Sequence, residues 1–263
     1  MIHLPLHLAT VGAIVRRDLS RAFRQKSRII GGLARPFMWL LLVGSGYNAI
    51  ARVPGAASYQ EFVLPGVVVM AALFGGMLTA MSTVYDREFG MLRLMLASPA
   101  GVPTILAGRA IAATAIGVIQ GGIVLIVAPL LVKTTPEGWL TACGALVLTA
   151  MASSIVGLMI AAPMQTLENF AGIINVVLFP MLFLSGALYP ARELPLLLHL
   201  AARVNPVTYA VDLMRGAMGQ HMEFGFAVSA AALLAVTAVA FTLAVLLFDP
   251  ERRLRRAPEP ARR

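Results

Sequence analysis

The sequence predicts an all-α integral membrane protein with six transmembrane helices. An amphipathic helix precedes them at the membrane interface, and an outer re-entrant helical hairpin lies between spans five and six. Three observations predict this class. Of 263 residues, 59% are hydrophobic and 13% charged, against about a quarter charged in an average soluble domain. The apolar residues are gathered into long runs free of ionisable side chains, and about 20 such residues let a helix cross a hydrocarbon core of roughly 30 Å. The basic residues concentrate in alternate connections between those runs.

The runs place the spans. The first is Pro36–Ala51, whose 16 residues reach only about 24 Å. It therefore begins near Ile29, with Arg35 snorkelling back to the inner headgroups. The others are Phe62–Tyr85, Ala110–Val132, Gly138–Leu167, Asn169–Ala191 and Phe224–Phe248. Pro163 is expected to bend or end the fourth, and Pro180 to kink the fifth, which packed membrane helices tolerate. The first 15 residues lack the basic start and small-residue cleavage site of a signal peptide, so insertion is expected to start from the first span.

Orientation follows from Lys and Arg. The N-terminal segment carries seven, the loop after span two carries three (Arg87, Arg93, Arg109) and the C-terminal tail six, giving 16 on one side. The other side holds five: Arg52, Lys133, Arg192, Arg203 and Arg215. This bias places both termini in the cytoplasm, as an even number of spans requires. The net charge of +9 is read as orientation rather than affinity for nucleic acid. The lone Cys143 excludes a disulfide framework.

Four segments outside the runs carry information. In Val11–Arg28, the residues Arg17, Arg21, Arg24 and Arg28 fall within about 60° of one another on a helix, opposite Val11, Val15, Leu19, Ala22 and Phe23. Such a helix suits the inner leaflet. The 24-residue loop Asp86–Arg109 is expected to continue helically from span two, turn at Ser98-Pro99 and Gly101, and reopen a helix near Pro103. Its charges beside Met91, Leu92, Leu94 and Met95 suit either a docking surface or a solvated connector. Residues 188–223 are too apolar for a solvated loop and too interrupted by proline for one span. Two short helices, about Glu193–Val204 and Val207–Met218, are predicted, packed on the bundle because irregular backbone at membrane depth needs protein or a wet cavity. The Arg-rich tail after Asp249-Pro250 is expected to be disordered and held near anionic lipid. The chain thus divides into residues 1–28, a transmembrane domain over 29–248 and a tail over 249–263.

Other chemistry is disfavoured. Neither lysine, Lys26 nor Lys133, ends the glycine-rich GK[ST] loop that cradles phosphates. The four histidines are scattered away from Cys and carboxylates, so no metal site is expected. Ser185 lies within a run, but no run contains a histidine to serve as its base. The runs also lack the carboxylates and cations usual in ion-coupled carriers. Polar residues within them, such as Ser82, Gln120, Ser154 and Asn175, suit helix packing.

Across essentially the whole chain, this order of parts resembles the permease subunit of ABC-2 type (type-2 export) ABC transporters. DREFGMLRLMLASP (Asp86–Pro99) is similar to the family's coupling segment. FPMLFLSGALYPARELP with VNPVTYAVDLMRGAM is similar to its C-terminal signature, including Ser185, Gly186, Tyr189, Pro190, Asn205, Pro206 and Tyr209. The resemblance implies a bacterial inner-membrane subunit working with a second permease copy or paralogue and two cytoplasmic ABC ATPases. Those ATPases, rather than this chain, would bind ATP and Mg. It implies contact with the ATPase through Asp86, Arg87, Glu88, Phe89, Gly90, Arg93, Ser98 and Pro99, and export of an amphipathic drug, a lipid or a lipid-linked glycan. Membrane lipids are the other expected partner, and the competing reading is a membrane-embedded assembly scaffold that moves no solute.

Overall fold

The computed structural model describes residues 3–48, 58–96, 100–131, 135–190 and 194–248, and these are helical with no strand among them. In chain order the helices are α1 (His3–Arg24), α2 (Lys26–Met38), α3 (Gly44–Asn48), α4 (Tyr59–Glu88), α5 (Met91–Leu96) and α6 (Gly101–Val127). They continue with α7 (Pro136–Ala161), α8 (Leu167–Leu184), α9 (Leu196–Val204), α10 (Pro206–Ala217) and α11 (Phe226–Phe248). A π-helical turn, Trp39–Val43, joins α2 to α3. Six helices are long and apolar enough to cross a membrane: Ile29–Tyr47, Tyr59–Glu88, Gly101–Leu130, Pro136–Ala161, Leu167–Leu184 and Phe226–Phe248.

Local chemistry sets the helix starts. Ser58, Thr135 and Thr166 each accept a backbone N–H three residues ahead, which satisfies donors that a helix start leaves orphaned. Asn205 does the same for Val207 at 3.1 Å, with Pro206 in the first position of α10, where its missing N–H does no harm.

The core is built around α4. Its most apolar window is 89% buried, against 22% for the first span and for α8, and 28% for α11. Most spans are apolar on all sides, as lipid allows, and α4 is the one enclosed by protein, in contact with α2, α6, α7, α8 and α10. Glycine permits this crowding. A Cβ at Gly75 would lie 2.8 Å from Gly117 Cα, and one at Gly76 2.6 Å from Ser154 Oγ. Small residues that admit neighbouring backbones are the usual means of packing helices in lipid.

Several expectations are corrected. α7 stops at Ala161, two residues short of Pro163, rather than reaching Leu167. α8 ends at Leu184 rather than Ala191, and remains helical through Pro180. Helix does not run unbroken into the loop after α4, because Phe89-Gly90 interrupts it and Gly90 has φ +78°, a conformation glycine adopts without penalty. The N-terminal helix starts at His3 and ends at Arg24, so Arg28 falls in α2. The hairpin helices α9 and α10 lie within a few residues of their expected bounds. Of the two, α10 occupies the seat on α4, α7 and α11, while Leu196 and Leu197 of α9 face outward, 73% and 80% exposed.

Candidate functional site

At one end of the bundle α4 finishes, α6 and α8 begin, and α7 and α11 finish. This basic end is organised by three consecutive residues of α4. The carboxylate of Asp86, only 2% exposed, accepts from Arg17 Nη2 at 2.7 Å, Arg21 Nη1 at 3.0 Å and Arg109 Nη2 at 2.6 Å. Arg109 is itself 2% exposed and also donates to Thr83 Oγ1 at 3.0 Å. Arg17 additionally pairs with the buried Asp18 at 2.8 Å, and both Arg17 and Arg109 reach Met95 Sδ. Burial works against the Arg17 charge, but Asp18 and then Asp86 outweigh it and raise its pKa above the ordinary value.

The next two residues reach other helices. Arg87 Nη1 donates to the carbonyls of Ala161, Ala162 and Met164 at 3.2, 2.6 and 2.6 Å, a cation at the negative end of α7's dipole. Its guanidinium also lies 4.9 Å from the Phe248 ring centroid of α11. Glu88 Oε2 accepts the N–H of Leu167 at 2.9 Å, an anion at the positive start of α8. Asp86, Arg87 and Glu88 thereby fasten α1, α6, α7, α8 and α11 to the end of α4.

The sequence-predicted residues are dispersed by this arrangement. Asp86 points into the protein rather than toward a docking partner. Arg17 and Arg21 turn inward from the basic face on which helical spacing put them, because Asp86 draws them in. The buried side of α1 carries Ile14, Asp18 and Ala22, and Ile14 sits where a Cβ on Gly108 of α6 would be 3.1 Å away. Arg24 remains exposed, as do Arg16 and Lys26. Around Gly90, Leu92 is buried, while Phe89, Met91 and Leu94 are exposed by 62%, 46% and 70%. The side chains of Arg28 and Arg93, together with Ser98, Pro99 and the tail, lie outside the described residues.

The signature residues collect at the opposite, hairpin end. Ser185 caps α8, donating to Leu182 O at 2.7 Å and accepting from Ala187 N at 3.2 Å, and Gly186 follows with φ +76°. Asn205 Nδ2 donates to Met181 O at 2.6 Å, tying the start of α10, and with it Pro206, to α8. Tyr209 OH donates to Arg203 O at 2.6 Å and its ring packs on Phe224. Tyr189 and Pro190 close the turn, both partly exposed.

Sequence reasoning missed Arg109, Asp18 and Arg215 as structural charges. Arg109 bounded a run rather than entering it, yet it is the ninth residue of α6. The available signal was its place within helical reach of an apolar run, one helix away from the carboxylate of Asp86. Also unforeseen is a groove of about 550 Å³ between α2, α4 and α8, reaching the basic end at Arg21 and Tyr85. Its lining includes Arg21, Arg35, Phe74, Tyr85, Phe170 and Asn175. Arg21 lies 4.4 Å over the Tyr85 ring and Arg35 5.0 Å over that of Phe74, so cations and an apolar wall share one space.

Six apolar helices knit by buried charge define a multi-pass membrane protein. Residues 10–219 match the model of the family described as ABC-2 type transporter, and the chain belongs to that family. It is similar to nodulation protein J of Rhizobium leguminosarum bv. trifolii, with 27% identity over 87% of each chain. The putative transport permease ycf38 of Porphyra purpurea is 28% identical, over 78% of this chain and 72% of that one. The inner membrane transport permease YadH of Escherichia coli (strain K12) is 25% identical, over 60% and 62%. The chain is accordingly a membrane component of the transport-permease type, and its family implies association with an ABC ATPase.

Proposed function

We propose that this chain is the transmembrane subunit of an ATP-driven exporter of an amphipathic drug, a lipid or a lipid-linked glycan. It works by alternating access, paired with a second copy or a sister chain and driven by two cytoplasmic ATPases that carry the ATP and Mg. It resides in a bacterial inner membrane with both termini in the cytoplasm, which the charge bias and the likeness to the Escherichia coli inner membrane permease support. The exposed apolar and basic residues of α1 (Leu8, Phe23, Arg16 and Arg24) support an interfacial seat. The outward leucines of α9 support a re-entrant one. The groove, with Arg21 and Arg35 on an apolar wall, supports an amphipathic cargo.

The observation that carries the reading is mechanical. Phe89, Met91 and Leu94 form an exposed apolar patch directly after the residues that fasten five helices to α4. A partner seated on that patch would move the bundle rather than a loose connector. The expected result is that Phe89→Asp with Leu94→Asp inserts normally yet loses at least about tenfold in co-purification with the partner ATPase. Such a loss corresponds to roughly 1.4 kcal/mol, modest for burying a carboxylate in an apolar contact. The partner is sought as a neighbouring reading frame bearing a GK[ST] loop. Undiminished co-purification would remove the patch from the docking surface. An ATPase that binds, but drives no solute movement in proteoliposomes, would favour the scaffold.

A further inference from the structure

The groove lies along the basic-end halves of α4 and α8, and at the hairpin end the turn after α8 packs against α4. Three contacts seal that turn onto its neighbours. Gly66 of α4 lets it approach so closely that a Cβ there would be 2.6 Å from Ala187 Cβ and 2.8 Å from Ala187 Cα. Tyr59 OH donates to Leu188 O at 2.7 Å, and Arg215 Nη2 of α10 donates to Gly186 O at 2.6 Å. Arg215 is an unusual fastener. Its guanidinium lies 4.4 Å over the Phe62 ring, and its Nε is buried without a hydrogen-bond partner. The nearby carboxylate of Asp212 is occupied by the N–H groups of Glu223 and Phe224 and by the Ser229 hydroxyl. Burial pushes the guanidinium down to about 10, against the pull of Asp212 and Glu223, so it stays charged at neutral pH. A charge held dry by a carbonyl and a ring, rather than by a carboxylate, is expensive to keep.

We infer that Arg215 is the positioning residue of a gate at the hairpin end. It holds the Ser185–Leu188 turn closed on α4 and releases it when the pathway opens there, its rehydration offsetting the contacts given up. This rests on the transport reading, since a gate needs a path. Its test does not, because the seal is read in the purified chain without cargo or ATPase.

In a Cys143→Ser background, which removes the free thiol, Ser185→Cys places a reporter at a position 2% exposed. The chain is reconstituted in liposomes and labelled with a charged, water-soluble methanethiosulfonate. Adding Arg215→Met is expected to raise the labelling rate at least about tenfold, the population shift expected from losing a hydrogen bond made by a charged group. Arg215→Lys keeps a cation and a donor and is expected to hold the rate near that of the reporter alone. Equal acceleration by Met and Lys, or none by Met in a chain that elutes as folded, overturns the gate. If the Met variant does not fold, Tyr59→Phe decides. It removes the hydroxyl that donates to Leu188 O and should accelerate labelling severalfold, and an unchanged rate sinks the proposal. A chain that transports with its ATPase yet labels at an unchanged rate would lose the gate and keep the transport reading.

Discussion

Asp86→Ala is expected to detach α1 from the bundle and to lower thermal stability by on the order of 10 °C. The carboxylate is 2% exposed and faces three guanidiniums within 3.0 Å. Removing one partner of a buried ion pair leaves the other uncompensated and typically costs about 3–5 kcal/mol. Here the stranded charge is Arg109, equally buried and already short of one partner at Nε. Arg17 and Arg21, about one-third exposed in their side chains, can turn to water and take α1 with them. Trypsin should therefore cut after Arg17 and Arg21 in the variant while sparing the parent. The double variant with Arg109→Met should be less damaged than the sum of the two single changes, because each already breaks the same network. Additive losses together with an unaltered tryptic pattern would mean that the cluster does not hold α1.

Gly75→Val is expected to damage the core, because it forces carbon into the contact between α4 and α6. The first added carbon would lie 2.8 Å from Gly117 Cα and 3.1 Å from Ile116 O, both backbone atoms that cannot swing away as a side chain could. α4 and α6 would have to part along their length, and overpacking of this kind costs about 1–3 kcal/mol, sometimes more. Gly144 supplies the control, since nothing lies within 4 Å of its missing Cβ. Thermal melting of detergent-solubilised protein, followed by size-exclusion chromatography, should show a clear drop for Gly75→Val and little change for Gly144→Val. Equal melting of the two would remove the close approach from the account of the core.

Much of the architecture was legible before any coordinates. The apolar runs located six helices of spanning length, since lipid leaves a backbone few other ways to satisfy its hydrogen bonds. The proline pattern separated α9 from α10 because proline suits the first position of a helix and disfavours the interior. Boundaries are less legible because a charge in the sequence marks the end of an apolar run without marking the end of its helix. α4 carries helical hydrogen bonding past Asp86 to Glu88, and α6 begins eight residues before Arg109. A charge ends a span only when it meets water, and these two meet each other.

The candidate site shows the same division. Helical periodicity puts Arg17, Arg21 and Arg24 on one side of α1, but periodicity is a property of an isolated helix. Which of them faces lipid and which faces protein depends on Asp86, 65 residues further along the chain from Arg21. By itself the sequence determined that this is a multi-pass helical membrane protein, because apolar length and charge composition act locally and add up along the chain. Only the tertiary structure decided the partners of its charges: Asp86 with three arginines, Arg87 with the end of α7, Glu88 with the start of α8 and Arg215 with Gly186. A buried charge must be matched by whatever the fold brings within about 3 Å, and no local pattern encodes which distant group that will be.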